Sequence, residues 1–378
     1  MTWVALLSLL FAAPGAAQLV PTQMRHYTLL QQALVRYRDL ATDPTLTQLP
    51  PLQARSVRVG EPYTGSEALR RLLRATGDLT DAGAPTAPEL LDEPLVDALR
   101  HFQRRHRLEE DGVLGGATLR ALTTPLARRV QQIERTLQRW EALPVNPGVR
   151  TLFINIPQFR LIGLQSAQDT EAQMLKMAVV VGRNEKRLRT PTMVTELTDV
   201  VFQPYWDVPA SITRNELLPL IRRNPGYVKN SHMEIVATNG SLLAADEAGL
   251  QALGAGSARL RQRPGPDNAL GRVKFVLSND MAVYLHDTPS TALFERARRA
   301  FSHGCVRVAD PLALVRFALQ DDAAWPPERM DVTMNGDQTL RVKLLHPIRV
   351  YVVYGTALAL ENGEVRFFDD VYGLDGPG

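Results

Sequence analysis

Two hydrophobic periods divide this chain. Up to about residue 143 apolar positions recur every three or four residues, and from Thr151 they recur every second residue. Thr28 to Leu40 predicts a helix with Leu30, Leu34 and Tyr37 on one face. Thr42 to Arg55 carries three prolines and no period, which reads as a loop. Ser66 is placed to cap a helix striped by Leu69, Leu72 and Leu73 and stopped by Gly77. Asp78 to Pro88 reads as a linker or surface loop. Leu95, Leu99 and Phe102 then mark a helix, Asp111-Gly112 and Gly115-Gly116 mark turns, and Ala117 to Leu122 a short helix that Thr118 is placed to start. Thr124-Pro125 opens a long helix whose stripe runs Leu126, Val130, Ile133, Leu137, Trp140, and Pro144 with Pro147-Gly148 ends it.

In the second half Leu152, Ile154 and Ile156 alternate with Phe153 and Asn155, as in a half-buried strand. Further strands are expected at Leu175 to Val181, Val194 to Phe202, Val273 to Leu277, Ala282 to Leu285 and Arg349 to Tyr354. Ala357 to Leu360 and Glu364 to Phe368 flank Glu361-Asn362-Gly363, a hairpin signal. Between two of these strands Arg214 to Arg263 is far longer than the usual connection of roughly 4–6 residues. It carries helical patterns at Glu216 to Ile221 and Asp246 to Leu253, with Asn224-Pro225-Gly226 and Gly254-Ala255-Gly256 as hinge candidates. The fold class is therefore α+β: a helical N-terminal region followed by a β-rich domain with a helical insertion.

The length of 378 residues suits roughly two domains. A net charge of +3 is too small to argue for nucleic acid, and no phosphate-binding loop is present. Val4 to Ala13 is apolar apart from Ser8, and Gly15 and Ala17 suit cleavage after Ala17, so residues 1–17 read as a signal peptide. No Lys or Arg precedes the run, and the other reading is a buried N-terminal helix. No later stretch approaches 18 apolar residues, so no stable membrane span is expected after signal cleavage. The chain has one cysteine and so no internal disulfide.

That cysteine lies in Ser302-His303-Gly304-Cys305-Val306-Arg307-Val308. A free thiol has a pKa near 8.5, and positive charge such as Arg307 with a histidine base makes it a better nucleophile. The Gly304 and Cys305 N–H groups are candidates for an oxyanion hole. Nineteen residues upstream stands Tyr284-Leu285-His286-Asp287-Thr288-Pro289, where a strand can aim His286 at the thiol. The Asp287 carbonyl or carboxylate, or another carbonyl, would set its tautomer. His26, His101, His106, His232 and His346 lack ligand spacing, so neither a metal nor a cofactor is expected. Arg296, Arg298 and Arg299 read as a solvated helix face, and Trp140 and Trp206 first of all as packing residues.

Two resemblances follow. Phe102-Gln103, then Asp111-Gly112-Val113-Leu114-Gly115 and Thr118-Leu119, resembles the three-helix peptidoglycan-binding domain over residues 60–125, although a helical bundle without a ligand fits the same pattern. His286-Asp287-Thr288-Pro289 followed by Ser302-His303-Gly304-Cys305-Val306-Arg307 resembles the L,D-transpeptidases with a YkuD-type catalytic domain. The YcbB-like branch is indicated by Val181-Gly182-Arg183, Thr190-Pro191, Trp206-Asp207-Val208-Pro209 and Pro264 to Gly271. Gln203-Pro204-Tyr205 departs from a common Asn-Pro start. The resemblance implies Cys305 as nucleophile, His286 as proton donor and acceptor, and His303, Gly304, Arg307 and Asp287 around the oxyanion and substrate. Trp206, Tyr284 and Ser302 would contact substrate. It implies 3–3 cross-linking of tetrapeptide stems as donor and acceptor, in the periplasm, with penicillin-binding proteins as candidate partners and carbapenems as inhibitors. L,D-carboxypeptidase action and a non-catalytic wall-binding role are the alternatives. The expected layout is a scaffold segment 18–59, a peptidoglycan-binding-like unit 60–125, a connecting helix 126–148, a catalytic domain 149–345 with a capping subdomain 214–263, and C-terminal strands 346–378 packed on the scaffold or the catalytic domain.

Overall fold

The computed structural model describes residues 22–80, 87–143, 150–166, 169, 172–224 and 226–376, with side chains from residue 25. The signal-peptide segment, Pro144 with Pro147-Gly148, and Pro225 lie outside the described residues.

The N-terminal region is helical, at Thr22–Leu40, Ser66–Thr76, Glu93–Arg105, Gly116–Leu122 and Leu126–Glu141. The predicted stripes all enter one core with Leu30, Leu69, Leu73, Leu99 and Ile133. Two capping details differ from expectation. Ser66 is the first helical residue rather than the cap, and its hydroxyl donates to the Tyr63 and Glu89 carbonyls at 2.7 and 3.1 Å. Thr118 sits inside its helix because Gln103 claims it. Gln103 Nε2 donates to Thr118 Oγ1 (3.2 Å), Asp111 Oδ1 (2.8 Å) and the Val113 carbonyl (3.1 Å), while Gln103 Oε1 accepts Gly112 N–H at 2.8 Å. The spacing Gln…Asp-Gly…Thr thus encodes a buried amide with its hydrogen bonds satisfied.

From residue 151 eight strands close into a barrel-like ring. In ring order they are Leu175–Gly182, Val306–Val308, Leu285–His286, Val273–Leu277, Met193–Phe202, Leu340–Val353, Thr151–Asn155 and Arg160–Leu164, the last pairing back to the first. A short ninth strand, Ala300–Ser302, runs parallel beside Val181 and Gly182. Inward residues such as Leu152, Val200, Phe275, Leu285, Val306 and Val350 fill the interior. Helices Pro311–Leu319 and Pro327–Met334 pack against it. The period of two read from the sequence is this inward–outward alternation. The strand expected at Ala282 to Leu285 shrinks to Leu285–His286, because Asn279 folds the preceding residues into a turn (Oδ1 accepts Met281 and Val283 N–H at 3.0 and 3.2 Å). The strand expected from Arg349 begins at Leu340, so the 345/346 boundary falls inside one bulged strand.

The insertion is not purely helical. Alongside helices Leu218–Arg223 and Glu247–Ala255 it carries a four-stranded antiparallel sheet, ordered Trp206–Asp207, Ala258–Gln262, Met233–Ala237, Leu242–Leu243. It therefore begins at Trp206, and it has its own core around Ile221, Ile235, Leu253 and Leu260. Arg296 to Arg299 follows a 3-10 turn and is not helical, and Arg299 donates inward to the Phe294 and Arg296 carbonyls. The C-terminal hairpin Ala357–Ala359/Val365–Phe367 forms as expected and joins the N-terminal core, where Phe367 meets Tyr37 edge-on at 5.2 Å.

Asp78 anchors this junction. Its fully buried carboxylate takes Arg105 at 2.5 Å and His101 at 2.7 Å, while Arg105 Nη1 reaches the hairpin carbonyl of Val365 at 3.2 Å. Burial pushes the Asp78 carboxyl up, but the His101 hydrogen bond and the Arg105 guanidinium outweigh it and hold its pKa below the ordinary value. Its contribution to stability is therefore present above the unfolded carboxylate range and is lost as pH falls through the lowered folded value. Asp78→Ala leaves Arg105 buried and unpaired and should cost about 3–5 kcal/mol in urea unfolding at pH 7. Asp97→Ala, at the exposed Arg100 pair, should cost about 0.5 kcal/mol or less. Equal losses in the two variants would refute the anchor.

Candidate active site

The barrel presents Cys305 on its outer face. The strand Leu285–His286 lies parallel to Val306–Val308, with Leu285 opposite Val306 and His286 opposite Arg307. Leu285 and Val306 point into the barrel and are fully buried. Alternation then sends Tyr284, His286, Cys305 and Arg307 outward together. On the other side of His286 the antiparallel ladder places Lys274 directly opposite. The two motifs, separate in sequence, meet on one small patch of sheet.

The Cys305 loop is shaped from within. Gly304 has φ +115°, which only glycine adopts readily. Ser302 Oγ donates to the Cys305 carbonyl at 2.5 Å and accepts Gly304 N–H at 3.2 Å. Ser302 is thus a buried turn-former, and the Gly304 N–H is occupied inside the loop instead of facing a substrate. Among the described residues Cys305 N–H has no acceptor, so of the two backbone candidates it is the one left open. From outside, Thr190 Oγ1 donates to the Gly304 carbonyl at 2.8 Å, and Tyr372 OH accepts Thr190 N–H and donates to the Gly182 carbonyl. Sequence reasoning missed the roles of Thr190 and Tyr372. It also missed Ala282, a non-glycine residue at φ +54° whose carbonyl lies 3.7 Å from Cys305 Sγ.

His286 Nδ1 lies 2.6 Å from the Asp287 carbonyl oxygen. A carbonyl only accepts, so Nδ1 carries the proton and Nε2 is the free base. The Asp287 side chain does other work: its oxygens accept Arg272 N–H at 2.8 Å and Thr288 N–H at 2.7 Å. A Cβ on Gly271 would collide with that carboxylate, which accounts for the glycine there. His303 points to the insertion, with Nε2 2.6 Å from Glu216 Oε1 and Arg183 closing the cluster. Trp206 comes from the insertion and acts on the Tyr284 hydroxyl, opposing the rise in pKa that burial gives it, and Tyr284 stands 5.6 Å centroid to centroid from His286.

Burial dominates the electrostatics. It lowers the His286 pKa to about 3, helped by Arg307 and Lys274 and opposed by the Asp287 carbonyl. It also raises the Cys305 thiol above its ordinary value, against the Tyr284 hydrogen bonds, Lys274 and Arg307. The resting pair is therefore neutral thiol and neutral imidazole.

Comparison with known proteins now bears on the same patch. Residues 150–337 match the YkuD family, described as the L,D-transpeptidase catalytic domain. Residues 150–337 belong to the L,D-transpeptidases. Residues 65–122 match the family "Putative peptidoglycan binding domain". A Haemophilus influenzae protein named "Putative L,D-transpeptidase" is 33% identical over 251 residues, 65% of this chain and 48% of that protein. The chain thus spans about half the length of the curated relative it matches. A crystal structure of the L,D-transpeptidase (residues 123–326) from Xylanimonas cellulosilytica aligns at 13% identity with a TM-score of 0.22, covering 80% of this chain and 100% of that one. Cys305, His286 and the barrel face that carries them fall inside the transpeptidase domain.

The neutral resting pair makes a direct prediction. Alkylation of Cys305 by iodoacetamide should rise with pH along a single limb with its midpoint above the ordinary thiol value of about 8.5. A plateau beginning below pH 7 would reveal a thiolate–imidazolium pair and contradict this electrostatic picture.

Proposed function

We propose that this protein is an L,D-transpeptidase that forms 3–3 peptidoglycan cross-links through a Cys305 acyl-enzyme. The observation that carries the reading is the register placing Cys305 and His286 on one face of the transpeptidase domain, with Nε2 of His286 free. Cys305 Sγ attacks the carbonyl carbon of the third residue of a tetrapeptide stem and passes its proton to His286 Nε2. The tetrahedral oxyanion takes the Cys305 N–H. The C–N bond to the terminal D-alanine breaks, His286 returns the proton to the leaving amine, and a thioester remains. A side-chain amine of a second stem attacks that thioester and gives a proton to His286. The C–S bond then breaks and the sulfur takes the proton back. Its burial-depressed pKa keeps His286 neutral before each attack, as a base must be.

Cleavage by the same residues with water as acceptor would be L,D-carboxypeptidase action. The insertion favours transfer, because Trp206 and Glu216 bring it onto the site, where it can shield the thioester. The domain match at 65–122 supports substrate in the cell wall, and hence action in the periplasm after export.

Purified protein with a single tetrapeptide stem should release D-alanine and yield a dimer mass, and Cys305→Ala should yield neither while melting like wild type. A carbapenem should add one adduct mass to wild type and none to Cys305→Ala. Cross-linking by Cys305→Ala would sink the mechanism. The cap gives a separate prediction. Amides of residues 214–263 should gain hydrogen-exchange protection on acylation, and Glu216→Ala, which cuts the link to His303, should shift products from dimer toward hydrolysis. Unchanged protection together with an unchanged product ratio would refute the lid.

A further inference from the structure

Lys274 and Arg307 flank His286 in one row across three adjacent strands. Lys274 Nζ lies 4.0 Å over the Tyr284 ring, and its charge reaches the Cys305 sulfur. Both cations are partly withdrawn from water, and among the described residues neither has a carboxylate partner. Among the described residues the buried Arg307 Nε has no hydrogen-bond acceptor. The carboxylate whose charge reaches Lys274, that of Asp207, is itself paired with Arg259 at 2.9 Å. Two desolvated, unpaired cations are costly, and such a pair calls for an anion from outside. The sulfur does not answer that call in the resting state, because burial keeps Cys305 protonated despite both of them.

We propose that Lys274, with Arg307, is the receptor for the terminal carboxylate of the donor stem. This rests on the acyl-transfer reading above and adds its specificity element. In the donor the carboxylate carbon lies one residue beyond the scissile carbonyl, about 3.5 Å away. The cations stand one strand to either side of His286, at a spacing of about 4.8 Å. A carbonyl poised at Cys305 therefore puts its terminal carboxylate within reach of both side chains. A stem one residue longer carries its carboxylate about 3.5 Å too far, so the pair selects tetrapeptides over pentapeptides as donors. The acceptor stem contributes only an amine and makes no use of the pair. Bound carboxylate also offsets the two positive charges that hold down the proton affinity of His286, which aids proton uptake once the donor is seated.

The test compares a tetrapeptide stem with its C-terminal amide. By calorimetry on Cys305→Ala, where no turnover occurs, the acid should bind about 10- to 100-fold more tightly than the amide. That preference should vanish in Cys305→Ala/Lys274→Met and return in Cys305→Ala/Lys274→Arg. In the otherwise wild-type protein Lys274→Met should raise KM for the acid by a similar factor and leave KM for the amide unchanged. Equal affinity for acid and amide overturns the proposal, as does a preference that survives Lys274→Met. A fall in kcat shared equally by both donors, with KM unmoved, also overturns it, by assigning Lys274 to the sulfur. If wild type releases no D-alanine, the acyl-transfer reading fails, and the binding comparison still decides the carboxylate receptor.

Discussion

The parallel ladder between Leu285–His286 and Val306–Val308 is the constraint on which the site depends. Leu285, Val306 and Val308 lie in the barrel interior, and burying each such side chain is worth about 1.5–3 kcal/mol. A slip of one residue would expose them and turn Cys305 and His286 inward. Hydrophobic packing on one face therefore fixes the chemistry on the other. No hydrogen bond between the thiol and the imidazole is needed to bring the two motifs together.

The same arrangement sets the electrostatic character of the site. Withdrawing His286 from water and flanking it with Arg307 and Lys274 favours the neutral ring, and the same burial favours the neutral thiol. In the proposed acyl transfer, reactivity then comes from the geometry and charge of a bound substrate. The unpaired cations fit such a site, since an isolated ion pair at Cys305 would have neutralised them in advance.

The two ends of the described chain converge on the core and the site. The C-terminal hairpin completes the N-terminal helical core, and a few residues later Tyr372 reaches Thr190 and Gly182, which support the Gly304 turn. Asp78, Arg105 and the Val365 carbonyl join the peptidoglycan-binding-like unit to that hairpin. The helical unit is thus packed into the molecule, with the long strand Leu340–Val353 connecting its core to the barrel.

The sequence by itself determined what local chemistry controls. The helical stripes from Leu30 to Trp140, the hairpin at Asn362-Gly363 and the alternation through Ile154 depend only on residue spacing. The His286 and Cys305 motifs were legible because a lone cysteine beside His-Gly and Arg is a rare string. Tertiary structure decided which groups those motifs meet. Lys274 is an ordinary strand lysine in sequence and becomes a neighbour of His286 only through its register in the sheet. Thr190, Tyr372 and Ala282 act through carbonyls and turns far away in the chain. The sheet inside the insertion escaped notice because Met233–Ala237 and Ala258–Gln262 are short, and their burial comes from each other. Gly304 N–H pointed to an oxyanion role until the fold placed Ser302 Oγ on it. Side-chain spacing is written along the chain, whereas long-range register and the partners of backbone N–H groups exist only once the barrel closes.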